Sequence, residues 1–181
     1  MSLNFSITKE TKENTSKGLY PVKIHEGGNF ITGAEYNEEF DCLDITFEND
    51  SYKHRERMLN PTKNVPTWTT PEKQLAAFQS RIAHYLRRFM DINEQNQIEG
   101  NTFQEMCQNV AIALKENATG KPFSLKLVYD KAFQYPRIPN LGRVIAVEGE
   151  EPLSYSKWEK ENVLLPEVSS APSNTDASEL F

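Results

Sequence analysis

Two segments with helical periodicity separate two groups of segments with strand-like alternation, and this order strongly limits the folds available to the chain. Apolar side chains recur at helical spacing in residues 75–89 and again in residues 103–114. Thr70 precedes the first segment, and threonine is a favourable residue at a helix start. Thr102 with Glu105 has the spacing of a capping box before the second segment. Two amphipathic helices are therefore predicted.

Alternating apolar and polar residues predict five strands around these helices. Three precede the helices, in residues 20–24, 43–47 and 52–58, and two follow them, in residues 123–129 and 142–150. The order matches an OB-fold with an enlarged helical insertion. The predicted fold is mainly β with inserted helices (α+β): a five-stranded OB-fold-like barrel with two helices between strands 3 and 4. A generic α+β sandwich would satisfy the same order.

The distribution of charge is more informative than the net charge of −6. Residues 1–50 carry four lysines and ten acidic residues, whereas residues 51–147 carry fourteen lysines or arginines and eight acidic residues. Residues 148–181 carry two lysines and eight acidic residues. A basic centre between acidic flanks predicts a basic working surface in the middle of the chain.

Composition along the chain also predicts three regions. Residues 1–17 form a polar N-terminal lead-in, residues 18–149 the folded domain, and residues 150–181 an acidic, flexible C-terminal tail. No run approaches the roughly 18 apolar residues of a membrane span, and no signal-peptide core is recognised. Cys42 and Cys107 are far apart in sequence and form no CxxC motif. We therefore expect neither a disulfide nor a zinc site, and we expect a cytoplasmic location.

The sequence shows none of the common catalytic or nucleotide-binding motifs. GxxxxGK[ST], GxGxxG, GxSxG and HExxH are all missing from it. The three histidines are dispersed, and the acidic residues have no spacing typical of an acid–base pair. The protein is therefore predicted to be non-enzymatic, with no cofactor and no metal.

Aromatic and basic side chains alternate closely in several parts of the central region. Single-stranded nucleic acid is held by this combination, because rings stack on bases for about 1–3 kcal/mol each while cations follow the backbone. The candidate DNA-binding residues are Tyr52, Lys53, Arg55, Arg57, Trp68, Lys126, Phe133, Tyr135, Arg137 and Arg143. The alternative is that some rings belong to the core and that the β-strand cations only form a solvated face. Binding of single-stranded DNA with little sequence preference is the first hypothesis.

Three segments resemble bacteriophage single-stranded DNA-binding proteins: KGLYPVKI, LGRVIAVEGEEPLSYSKWEKEN and the terminal TDASELF. Members of that family pair an OB-fold core with a flexible acidic tail that ends in phenylalanine. The resemblance implies that the chain coats exposed strands during DNA replication or recombination in the bacterial host cytoplasm. It also implies recruitment of replication or recombination proteins through the tail tip, where Glu179, Leu180 and Phe181 match the family's pattern of an acid followed by apolar residues. The nearby Asp176 is a further candidate partner-binding residue.

Other interpretations remain open at the level of sequence. The same barrel could serve as a docking surface in a non-enzymatic protein-interaction or assembly adaptor, or as an accessory domain that binds RNA. Self-association into a homo-oligomer is compatible with either. The segment YSKWEKEN is predicted to be a short amphipathic element that packs back on the barrel through Tyr155 and Trp158.

Overall fold

The structure is a computed structural model that describes residues 22–93, 98–132 and 134–164. The described elements are β1 (Ile24–Asn37), β2 (Cys42–Glu48), β3 (Lys53–Leu59), α1 (Pro71–Leu86), α2 (Phe103–Ala118), β4 (Phe123–Lys126), β5 (Val128–Asp130), β6 (Tyr135–Arg137), β7 (Ile145–Val147) and α3 (Lys157–Asn162). The predicted lead-in at residues 1–17 lies outside the described residues.

Five of the strands form one antiparallel sheet with the order β3-β2-β1-β4-β7, and β5 pairs with β6 in a separate hairpin. The order β4-β1-β2-β3 is that of a Greek key. The mixed α+β class and the two helices between the third and fourth strands of the sheet are confirmed. Closure into a barrel was expected, but no backbone pairing joins β3 to β7 within the described residues. The terminal strand β7 has three residues, so it offers few backbone groups for closure.

The first strand is longer than the sequence pattern predicts and begins where the expected strand ends. It has 14 residues, and its two halves pair with different neighbours, β4 and β2. Gly27 and Gly28 both have φ of 64°, in the left-handed region that favours glycine. The register with β4 shifts at these glycines. A glycine bulge therefore lets β1 continue through a stretch that would otherwise end the strand.

Asn29, at the end of this bulge, is fully buried and is the centre of a polar network. Its amide nitrogen donates to the carbonyl oxygens of His25 and Phe123, at 2.8 and 2.7 Å. Its amide oxygen accepts from the hydroxyl of Tyr52 at 2.6 Å and from the side chain of Asn49 at 3.1 Å. A buried amide needs partners for its polar atoms, and Asn29 finds them in β4 and in the connection between β2 and β3. The network therefore links both halves of the sheet.

Both predicted helices are confirmed, and each begins after a threonine cap. The hydroxyl oxygen of Thr70 accepts from the N–H of Lys73, and that of Thr102 accepts from the N–H of Glu105. The carboxylate of Glu105 accepts from the N–H of Asn101 at 2.9 Å. The Glu105 side chain of the expected capping box therefore bonds to the residue before the cap, Asn101, instead of to Thr102. None of the described helices is long and apolar enough to cross a membrane.

The core lies between the helices and one face of the main sheet. Phe47 of β2, Tyr85 of α1 and Phe123 of β4 are almost completely buried. The ring of Phe47 meets the other two rings edge to face, at centroid distances of 5.8 and 6.1 Å. Such aromatic pairs contribute about 0.5–1.5 kcal/mol beyond the burial of their area. They fix the end of α1, where a group of arginines follows.

Residues 150–164, which the sequence pattern placed in the tail, contact the domain. Leu153 is buried, and the hydroxyl of Tyr155 donates to the carbonyl oxygen of Leu127. The carbonyl oxygen of Val163 accepts from the backbone N–H of Tyr129 at 3.0 Å. This segment runs alongside β4 and β5 and ends at the last described residue, Leu164.

Candidate nucleic-acid interface

The first candidate surface, which we call the β3 face, is the exposed side of β3 with the β2 residues opposite it. Lys53 and Arg55 are exposed, and Arg57 is half-buried. The register places Glu48 opposite Lys53 and Asp44 opposite Arg57. The Lys53 Nζ lies 3.8 Å from a carboxylate oxygen of Glu48. Arg57 donates hydrogen bonds of 3.0 and 3.1 Å to the two carboxylate oxygens of Asp44. Two of the three cations thus face acidic residues.

Arg57 is held in place by the buried carboxylate of Asp44. Only 2 % of Asp44 is exposed. Burial raises the pKa of Asp44, but hydrogen bonds from Arg57 and Asn37 outweigh this effect and leave the pKa below its usual range. The guanidinium of Arg57 also lies 4.0 Å from the centroid of the Phe40 ring. Arg57 therefore neutralises a buried charge, and little of its own charge remains for a ligand.

Two other predicted DNA-binding residues lie in the interior. Tyr52 is 6 % exposed, and its ring centroid lies 4.5 Å from that of His25. Lys126 is 5 % exposed, and its Nζ lies 3.1 Å from both a carboxylate oxygen of Glu159 and the carbonyl oxygen of Ser154. Both side chains are bonded to partners distant in sequence, and Lys126, although 5 % exposed, lies in the wall of the larger cavity described below, where its charge is paired with Glu159.

The remaining predicted aromatic residues are dispersed. Trp68 is 80 % exposed in the loop between β3 and α1, and Tyr135 is 41 % exposed on β6. Several predicted residues lie outside the described residues: Phe133, Asp176, Glu179, Leu180 and Phe181.

A second surface brings together arginines from α1 and from the region between β4 and β7. We call it the arginine surface and define it by Arg81, Arg87, Arg88, Arg137 and Arg143. The last two belong to the predicted set, whereas the first three come from α1 and the turn that follows it. The sequence signal for Arg81 and Arg88 was their spacing of seven, which would place both on one side of a continuing helix, although α1 ends at Leu86. Their proximity to the segment before β7 could not be read from that spacing.

Two hydrogen bonds hold α1 against the loop at residues 139–143. The Arg81 Nη1 donates to the carbonyl oxygen of Gly142 at 3.2 Å. The backbone N–H of Val144 donates to the Nε2 of His84, also at 3.2 Å. The loop is thereby fixed beside the helix, and the arginines of both elements lie on one surface.

Two cavities share this loop as a wall, because Asn140, Leu141 and Gly142 line both. The smaller cavity, of about 480 Å³, is also lined by Arg81, His84, Arg87 and Arg88. The larger cavity, of about 750 Å³, is also lined by Arg137, Arg143 and Trp158. All five arginines of the surface therefore line one cavity or the other.

The arginine surface is only partly balanced by acidic residues. Arg88 forms an ion pair with Glu150, and the Arg137 Nε lies 3.1 Å from a carboxylate oxygen of Asp130. The other three form no ion pair with any carboxylate in the described part of the chain: Arg81, Arg87 and Arg143. Arg143 instead donates to the backbone carbonyl of Glu151 at 2.8 Å. Within the described residues, three positive charges on one surface are thus not compensated by ion pairs.

His84 lies within this positive field. Burial, followed by the charges of Arg88, Arg81 and Arg143, lowers its pKa to about 4. The imidazole is therefore neutral near pH 7, as it must be for its Nε2 to accept the N–H of Val144. Burial is the largest cause of the lowered pKa, and the three arginines act in the same direction.

The structure corrects the expectation for Trp158 and confirms that for Tyr155. Tyr155 is half-buried and bonded to the domain, whereas 64 % of Trp158 is exposed. On the short helix α3, Glu159 faces the domain and is paired with Lys126. Trp158 lies on the exposed side of this helix and lines the larger cavity. The exposure of this ring was missed because the amphipathic character of the segment favoured packing of both Tyr155 and Trp158.

Within residues 22–93, 98–132 and 134–164, no group of three or more histidine, cysteine or carboxylate side chains is arranged to hold a metal ion. Cys42 and Cys107 are both buried and free, and burial raises the pKa of their thiols to about 11 and about 12. The described geometry is therefore that of a basic, cavity-bearing surface.

Comparison of the chain with protein-family models, curated proteins and solved structures found no match in any of the three.

Proposed function

We propose that the protein binds single-stranded DNA with little sequence preference and uses the arginine surface to hold the phosphate backbone. The observation that carries this proposal is the convergence of Arg81, Arg87 and Arg143, none paired with a described carboxylate, around two adjoining cavities. Arginine is well suited to phosphate, because its planar guanidinium donates two parallel hydrogen bonds. Contacts to phosphate carry no direct sequence information, so tolerance of sequence follows.

The position of the surface in the fold supports the same proposal. The loop at residues 139–143 lies between β4 and β7, the fourth and fifth strands of the main sheet in chain order. In OB-folds the loop between strands 4 and 5 takes part in binding oligonucleotides. The Greek-key order and the helices inserted before β4 favour an OB-related fold that is open between β3 and β7. Protection of exposed strands during replication or recombination would follow from such binding.

The test is a titration of fluorescently labelled oligo-dT, followed by anisotropy at about 50 and about 200 mM salt. Arg81, Arg87 and Arg143 are replaced together by alanine. We expect the affinity to fall by roughly 30- to 100-fold at the lower salt, and the slope of log K against log salt to decrease by about 2, since each phosphate contact contributes about 0.7.

The matched control replaces the same three arginines by lysine, which keeps the charge but not the planar fork. Its affinity is expected to remain within about threefold of wild type, because the salt-dependent part of binding depends on charge. Thermal unfolding establishes that both variants remain folded. If the alanine variant binds as tightly as wild type, the arginine surface is not the site.

Failure of wild type to bind oligo-dT at micromolar concentration would favour the adaptor interpretation. In that case, capture of protein partners should be equal with and without nuclease treatment. Tighter binding to RNA than to DNA of equal length would instead favour an RNA-binding role, because only RNA offers the 2′-hydroxyl.

A further inference from the structure

Trp158 is an exposed aromatic side chain on a well-anchored support. Its ring is 64 % exposed and lines the larger cavity beside the arginine surface. Trp68 is also exposed, but it lies in the loop between β3 and α1. The two tryptophans of the chain therefore sit on different elements and can be compared directly.

The helix that carries Trp158 is fixed at its start. Ser156 and Glu159 form a complete capping box, with hydrogen bonds of 3.2 and 2.7 Å. The side chains of Glu159 and Lys126 are 12 % and 6 % exposed and form an ion pair of 3.1 Å. The backbone that presents the ring is thus ordered before any ligand arrives, which lowers the entropy cost of binding.

The composition of the larger cavity fits a nucleotide. Its volume of about 750 Å³ lies within the range of roughly 300–1,000 Å³ typical of small-molecule pockets. Leu141 and Trp158 supply exposed apolar surface, and Arg143 supplies a positive charge that is paired with no described carboxylate, whereas Arg137 is paired with Asp130. Of the acidic residues that line the cavity, Glu159 is neutralised by Lys126, and Glu151 is exposed. An aromatic face next to cations is the pairing that recognises a base together with its phosphate.

We propose that Trp158 stacks on a nucleobase of the bound single strand, while Arg143 holds an adjoining phosphate. This inference rests on the proposed function but names a separate element of the site, since Trp158 is not needed for backbone binding. The interaction places one base in the larger cavity and the backbone along the loop at residues 139–143.

The experiment uses full-length protein and two ligands of equal length: oligo-dT of about 12 nucleotides and an abasic phosphodiester. Trp158→Ala is expected to weaken the binding of oligo-dT by about tenfold and to leave the binding of the abasic ligand unchanged, because only the first ligand offers bases for stacking. Trp158→Phe retains an aromatic face and is expected to bind oligo-dT within about threefold of wild type.

Single-tryptophan proteins provide the spectroscopic control. In Trp68→Phe, the emission of Trp158 is expected to be quenched on saturation with oligo-dT and unchanged by the abasic ligand. Unchanged emission, or an equal loss of affinity for both ligands in Trp158→Ala, would overturn the proposal, since a merely structural role would affect both alike. Absence of any oligo-dT binding by wild type would overturn the proposed function itself and is a distinct result.

Discussion

The β3 face carries three cations and the arginine surface five, and the two surfaces differ in the share of those cations that is paired with acidic residues. On the β3 face, strand register places Glu48 against Lys53 and buried Asp44 against Arg57. On the arginine surface, Arg88 and Arg137 are paired with acidic residues, and the other three arginines form no ion pair with a described carboxylate. The alternation of cations along one strand in the sequence favours the first surface, whereas the partners of the cations favour the second. Uncompensated charge, rather than the number of basic residues, identifies a surface suited to phosphate.

Among the substitutions that test this comparison, the largest effect is expected on the free energy of unfolding. Arg57→Ala removes the partner of a carboxylate that is 2 % exposed, and it should lower the free energy of unfolding by about 3 kcal/mol. The measurement is urea denaturation near pH 7. The control is Arg55→Ala, which is expected to change stability by no more than about 0.5 kcal/mol, as an exposed substitution does. Equal stability of the two variants would show that the Asp44–Arg57 pair is not structurally required.

A smaller effect on stability is expected from the protonation of His84, which lies near several arginines. The pKa of His84 is lowered from 6.5 to about 4 by burial and by neighbouring arginines, so the unfolded chain binds a proton more readily. The stabilisation from neutral His84 is complete above pH 6.5 and is lost as the pH falls toward 4. Between pH 7.5 and 4.5, wild type should lose about 1–2 kcal/mol more stability than His84→Gln.

This difference is obtained from denaturation curves of both proteins across the pH range. Parallel curves for wild type and His84→Gln would argue that burial and the neighbouring arginines do not lower the pKa of His84 in the folded protein. A difference that shrinks when Arg81 and Arg143 are also replaced by alanine would assign the remaining part to those two arginines.

The smallest expected effect concerns the β3 face as a ligand site. Replacing Lys53 and Arg55 by alanine, with Arg57 kept, should reduce oligo-dT affinity by less than about threefold at about 50 mM salt, because Glu48 already balances Lys53. The titration is the one used for the arginine surface. A loss as large as that caused by replacing Arg81, Arg87 and Arg143 would move the site to the β3 face.

The helices and the β2–β3 hairpin could be predicted because their signals are local. Threonine caps, periodic apolar residues and alternating strands each depend on neighbours within a few positions. The burial of Tyr52 and Lys126 could not be predicted in the same way. Their partners, Asn29 and Glu159, lie 23 and 33 residues away and are found only once the chain has folded.

The same reasoning explains the candidate site. Arg137 and Arg143 could be selected from a basic and aromatic segment, and both line the larger cavity. The contribution of Arg81, Arg87 and Arg88 required knowledge of how α1 meets the loop at residues 139–143. Trp158 was misassigned because amphipathic character on a helix of six residues does not establish which side faces the domain.

The bulged strand β1 has a consequence for how the molecule unfolds. It is the only described strand that pairs with both β2 and β4, so each half of the main sheet reaches the other through it. If β1 were released, the β2–β3 hairpin and the β4–β7 pair would be left as two-stranded fragments, which are marginally stable in water. Because Asn29 bonds to groups in both halves, the sheet should behave as one cooperative unit, and the support for the arginine surface should be lost in the same transition as the β3 face.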